Sequence, residues 1–188
     1  MLDEAPICHL GFVHDDQPYV IPTIHARSGA ELLLHGSTAS RANRTLAAGA
    51  PVCVTVTLVD GLVLARSAFH HSMNYRSVVL LGSARPVTGD EARTAALEAF
   101  TEKLLPGRWE HTRRPSRQEL KGTMVLSLPI DEGSAKVRTG GPVDDAEDYA
   151  LPHWAGVIPL TVTRGAPIPD SDGPIPEHVR AYAEADPH

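Results

Sequence analysis

Apolar and β-branched positions in this chain fall into short blocks separated by turn chemistry, not into long helical stripes. Ile7 to Val13 is an apolar block, Asp15-Asp16-Gln17-Pro18 a polar turn, and Tyr19 to Ala26 a second block, which together predict a β-hairpin. Ser28-Gly29-Ala30 turns the chain into a strand over Glu31 to His35. Val52 to Val59 is β-branched at almost every second residue. Asp60-Gly61 reads as a turn, and Leu62 to Ala68 and Asn74 to Ala84 read as two further strands. Thr123 to Ile130 and Ser134 to Thr139 flank Asp131-Glu132-Gly133 as a last hairpin.

Helical signals are fewer. Met1 to Ala5 reads as the tail of a helix. Between Gly36 and Pro51 a short helix fits, with Ser37 or Thr38 as N-cap, Gly49 at the left-handed position after its end, and Pro51 blocking continuation. Asp90 to Leu105 is helical, with Ala92, Ala96, Phe100 and Leu104 on one face. Ser116 and Glu119 have capping-box spacing, which predicts another short helix. From Pro142 onward Pro, Gly and Asp dominate, so residues 1–160 are expected to form the domain and 161–188 a Pro-rich arm. Strands that do not alternate with helices predict a small antiparallel barrel and exclude a doubly wound sheet. Neither a GxGxxG turn nor a Walker loop is present.

Composition adds limits. At 188 residues, 42% hydrophobic and 21% charged, the chain can bury one real core. A net charge of −6 argues against nucleic acid or an anionic membrane as partner, and an anionic ligand would need a local positive site. Fourteen of the 17 basic residues are Arg, the side chain suited to bidentate phosphate contact, although a GC-rich genome gives the same bias. Cys8 and Cys53 lie in apolar runs and read as buried free thiols in a reducing compartment. No signal peptide or 18-residue apolar span is present, so a cytoplasmic location is expected.

Three constellations could carry chemistry. In the first, His35-Gly36-Ser37-Thr38-Ala39-Ser40-Arg41 carries a strand through a small-residue turn to a helix start, where N–H groups near Thr38, the Ser37 and Ser40 hydroxyls, Arg41 and Arg44 could hold a dianion. The same residues would also suit an ordinary capped helix with solvated arginines. In the second, Asn74-Tyr75-Arg76-Ser77 places donors at the mouth of a strand. The third joins Lys136 and Arg138, alternating to one side of a strand, with Trp154 as a stacking surface. No HExxH, Cys/His quartet or GxSxG elbow occurs, so neither a metal site nor a nucleophilic hydrolase is expected.

The run His70-His71-Ser72-Met73-Asn74-Tyr75-Arg76-Ser77-Val78-Val79 resembles the signature of a bacterial flavin-nucleotide-binding family within the pyridoxamine 5′-phosphate oxidase-like FMN-binding split barrels. Supporting stretches are Cys8 to Val13, Ile21-Pro22-Thr23, His35-Gly36-Ser37, Val52 to Thr57, Asp60 to Ser67, Lys136 to Gly140 and Trp154-Ala155-Gly156. The resemblance implies a mainly β (α+β) fold: a six-stranded antiparallel split β-barrel of Greek-key type with a few short helices. It implies a homodimer with FMN at the interface. Pro22, Thr23 and Ile24 would flank the flavin ring, Ser40 and Arg41 would hold its phosphate, and Tyr75, Arg76 and Ser77 would reach it from the partner. His35, Ser37, Asn74, Lys136, Arg138 and Trp154 complete the expected cofactor set. The family's Arg-Gly-x-Tyr-Asp segment has no counterpart before Leu2-Asp3-Glu4, so contacts from it are not expected. The implied activity is an FMN-dependent oxidoreductase acting on a small substrate or electron donor, with no residue assigned a catalytic role. The alternatives are a non-catalytic flavin- or haem-binding protein, with His35, His70 or His71 as axial ligand, and a binder of pyridoxal-phosphate-type vitamers.

Overall fold

The computed structural model describes residues 1–185, which fold into two antiparallel sheets packed face to face. The first has the order β2-β1-β5-β6-β9, built from β1 (Cys8–His14), β2 (Gln17–Thr23), β5 (Pro51–Leu64), β6 (Ser72–Ser83) and β9 (Glu132–Arg138). A sixth strand, β10 (Gly156–Pro159), joins β5. The second sheet has the order β3-β4-β8-β7, from β3 (His25–Ser28), β4 (Glu31–Ser37), β7 (Arg85–Pro86) and β8 (Thr123–Pro129). Four α-helices connect or cover them: α1 (Arg41–Ala47), α2 (Asp90–Leu104), α3 (Arg117–Gly122) and α4 (Glu177–Glu184). This is the expected split barrel.

Alternation along the strands builds the core. Leu10 and Phe12 of β1, Leu32 and Leu34 of β4, Val52, Val54 and Val56 of β5, Leu80 of β6 and Leu126 and Leu128 of β8 meet between the sheets, with Ala42 and Leu46 of α1 closing one end. A smaller cluster lies on the far side of the second sheet, where Ala96 and Phe100 of α2 cover Ala26, Leu33 and Val125. Only those two of the four expected α2 positions are buried; Ala92 and Leu104 lie past the sheet and are exposed.

Several expectations are corrected. Asp60-Gly61 is a bulge inside one 14-residue strand, because β6 and β10 pair β5 on both sides of it; the register shifts between Val59 and Gly61. The residues around Asp131-Glu132-Gly133 do not form a hairpin: β8 belongs to the second sheet and β9 to the first, so the chain crosses between layers there. Residues 1–5 form one turn, closed by Ala5 N–H donating to Met1 O at 2.9 Å. Cys8 is buried as expected, whereas Cys53 alternates to the outer face of the first sheet and is half-buried. The C-terminal arm ends in α4, of which no residue is buried. No helix among the described residues is long and apolar enough to cross a membrane.

Candidate functional site

The chain leaves β4 through a tight turn and enters α1 at Arg41, so the N-cap is Ser40 and not Ser37 or Thr38. The N–H groups expected to be free are used. Thr38 N–H donates to Gly122 O at 3.0 Å, Ala39 N–H to Ser37 Oγ at 3.1 Å, and Ser40 N–H to Ser37 O at 3.0 Å. The helix proper opens with Arg44 N–H donating to Ser40 O at 3.1 Å, without a side-chain cap, and the charge beside it is the Arg41 guanidinium. Arg41 Nη1 donates to Tyr19 Oη at 2.8 Å and its guanidinium lies 5.3 Å from the centre of that ring. Asn43, buried, donates from Nδ2 to Ser37 O at 3.0 Å and packs against Gly36, where an added Cβ would come within 2.6 Å of that nitrogen. Asn43 and Tyr19 escaped the sequence reading. An amide in mid-helix, where Asn is a poor former, was the available signal for the first.

The second constellation lies on β6 and β9. Asn74 is buried; its Nδ2 donates to Gly140 O at 3.0 Å and its Oδ1 accepts from Arg138 Nη1 at 2.8 Å. Tyr75 pairs with Arg138 and Ser77 with Lys136 across the strands, and the Lys136 ammonium sits 5.6 Å from the centre of the Tyr75 ring. Arg76 points to the other face. Its guanidinium donates to Asp60 at 2.8 Å and to both oxygens of Glu4 at 2.5 and 2.7 Å. Hydrogen bonds to Asp60 first and Glu4 second raise the guanidinium pKa further, and the same bonds hold both carboxyls below their ordinary range. Within one protomer Arg76 is thus a structural tie between the first turn of the chain and the β5 bulge. Trp154 is two-thirds exposed and lies against Gly156, where an added Cβ would come within 2.9 Å of its ring.

These constellations do not meet within the chain. Arg41 reaches Tyr19, which is level with Phe12 and Val52, whereas Tyr75 is level with Val59. Seven residues of β5 separate the two levels, roughly 20 Å of strand. Pro22 faces outward beside His9, between the levels. Ile24 and His35 turn away beneath α2, into a cleft of about 400 Å³ shared with Phe100, Leu104 and Trp109. The His35 ring packs 4.3 Å from that of Phe100, its buried Nδ1 has no partner, and burial lowers its pKa. His70 and His71 lie in a turn before β6: His70 Nε2 is 3.2 Å from Asp145 Oδ2, and His71 Nδ1 is 3.0 Å from Ser67 O.

A family model described as pyridoxamine 5′-phosphate oxidase matches residues 1–137. This chain belongs to the pyridoxamine 5′-phosphate oxidase family. No curated protein matches it. Among solved structures, this family member is 42% identical to the FAD and heme binding protein from Mycobacterium smegmatis, over 96% of this chain and 90% of that one, with a TM-score of 0.91. It is 43% identical to the flavocytochrome Anf3 from Azotobacter vinelandii, over 95% of this chain and 85% of that one, with a TM-score of 0.90.

Proposed function

We propose that this pyridoxamine 5′-phosphate oxidase family member is a homodimeric, cytoplasmic flavin-binding redox protein, that its flavin is FAD in place of the FMN expected from sequence, and that it also binds haem. The carrying observation is the near-complete match, at 42–43% identity, to two proteins described as binding FAD and heme and as a flavocytochrome. The geometry supports a dimer, because a flavin touching both Arg41 and the Tyr75–Lys136–Arg138 cluster needs the second from another copy. The outer face of the first sheet supports it too: Gly11, Val20, Thr55, Thr57, Ser77 and Val79 share that face and carry no charge. In this reading Ser37, Ser40 and Arg41 hold the phosphate next to the flavin, Pro22 and Thr23 flank the ring, and the partner brings Tyr75. FAD would supply hydride and electron chemistry.

His71 favours haem over flavin alone. Its Nδ1–H donates to the Ser67 carbonyl, which leaves Nε2 as the bare lone pair on an exposed ring, the tautomer and orientation a metal-ligating imidazole adopts. His70 is turned to Asp145 and His35 is enclosed beneath α2. Phe69 beside it is 88% exposed, apolar surface suited to a porphyrin edge. Haem bound there would supply one-electron chemistry. The test is the mass and absorption spectrum of whatever the purified protein releases on denaturation. A mass for FAD with a Soret band supports the proposal; FMN alone, or a colourless protein that takes up neither group, rejects it.

A further inference from the structure

A cavity lies on the outer flank of α1, and neither Ser37 nor Ser40 lines it. It measures about 670 Å³ and is lined by His14, Arg41, Arg44 and Thr45, with the Ala48-Gly49-Ala50 turn as floor. No carboxylate lines it, and neither arginine has an ion-pair partner among the described residues, in a chain of net charge −6. Arg27, Arg66, Arg76, Arg93 and Arg113, by contrast, are all paired.

We infer that this cleft holds the adenylate end of a flavin dinucleotide, with Arg41 on the phosphate next to the flavin and Arg44 on the second. The inference rests on the flavin reading above and extends it to the feature that separates FAD from FMN. Arg41 and Arg44 stand one helical turn apart on one face, so their planar forks present charge at two neighbouring points. One phosphate is satisfied by one fork; a diphosphate matches both. Arg41 is held toward β2 by Tyr19, whose ring stacks on Phe12 at 5.3 Å. His14 is fixed at the opposite wall by Thr45, Oγ1 to Nδ1 at 2.9 Å, and stands beside Asp15 at 3.4 Å.

The floor suits the base, while the two arginines take the phosphates. The carbonyls of Arg44, Thr45 and Leu46 accept from the N–H groups of Ala48, Ala50 and Gly49, so the turn that forms the floor is held in place by backbone bonds. Side chains there are small, and a Cβ added at Gly49 would meet nothing within 4 Å, which leaves room for a planar ring.

The test titrates flavin-stripped full-length protein with riboflavin, FMN and FAD, followed by quenching of flavin fluorescence, for the unchanged chain, Arg44→Ala and Arg44→Lys. Arg44→Ala is expected to weaken FAD by roughly tenfold or more, the size of one lost charge-assisted contact, and to leave FMN and riboflavin within about twofold. Arg44→Lys should recover part of the loss, and free AMP should compete with FAD but not with FMN. Equal losses for FMN and FAD, or none for either, overturn the assignment while the flavin reading stands. An unchanged chain that binds none of the three flavins overturns both. Matching thermal midpoints of the flavin-free variants exclude misfolding as the source of any loss.

Discussion

Arg41 is the phosphate contact expected from sequence and Arg76 a cofactor contact expected from the partner's strand, and their surroundings give them different jobs. Arg41 is exposed and pairs with no carboxylate among the described residues, so Arg41→Ala should weaken FMN about 10- to 150-fold, the loss of one charge-assisted contact, and leave riboflavin nearly unchanged. Titration of the variant with both flavins checks this. Arg76 is closed by Glu4 and Asp60. Arg76→Ala should lower the free energy of urea unfolding, since two adjacent carboxylates lose their shared counter-charge, without changing the FMN-to-riboflavin affinity ratio. A third residue-scale expectation concerns His25, which is fully buried with Nε2 2.8 Å from both Leu2 O and Lys103 Nζ. Burial lowers its pKa below 6.5, and pushes that of Lys103 down to about 8. Between its folded value and 6.5 the unfolded chain holds the extra proton, so stability rises with pH across that window and is lost as pH falls through it. His25→Gln should flatten that slope in urea midpoints measured from pH 7 to pH 5. His35 and His178, also lowered by burial, leave a residual slope of the same sign.

At the scale of elements, the best test is the capping box that opens α3. Ser116 Oγ accepts from Glu119 N–H, and the Glu119 carboxylate accepts from Ser116 N–H at 2.7 Å. Ser116→Ala should cost about 1 kcal/mol in chemical denaturation. That cap was legible because all its partners lie within four residues. So were β1, β4 and α2, where period and bounding turns are local, whereas the strand expected over Tyr19 to Ala26 divides after Thr23 into β2 and β3 of different sheets. The Asp60-Gly61 bulge and the crossing at Asp131 were not, because each depends on a distant edge. Gly61 looks like half of a turn until Ile158 O arrives; a Cβ at Gly61 would lie 3.0 Å from it. Pro129 and Ala135 look like hairpin mates until Ser37 to Glu31 claim β8 and Tyr75 to Leu81 claim β9. The site followed the same rule. Ser40, Arg41, Asn74 and Arg138 stood out by motif, whereas His14 and Tyr19 reach α1 only through the fold.

For the whole molecule, the uncharged middle of the first sheet's outer face, bordered by Lys136 and Arg138 of β9, sets the expectation. Val79 sits near its middle, between Thr55 and Ser134. Val79→Arg should shift the mass in light scattering from that of a dimer to the 20.2 kDa of one chain, and flavin affinity should fall with it, because the Tyr75 cluster is then no longer supplied to Arg41. The seating of β10 bears on synthesis. One edge of β5 is shared: β1 takes residues 52–55 and β10 takes residues 61–64. On the ribosome the first half of that edge is covered before it emerges, while the second waits bare for more than ninety residues of further translation. An open edge of Gly61-Leu62-Val63-Leu64 is the kind of template that recruits other chains or a chaperone. A stop codon after Ala155 should therefore yield a product found in aggregates or on chaperones, and one after Leu160 a soluble barrel.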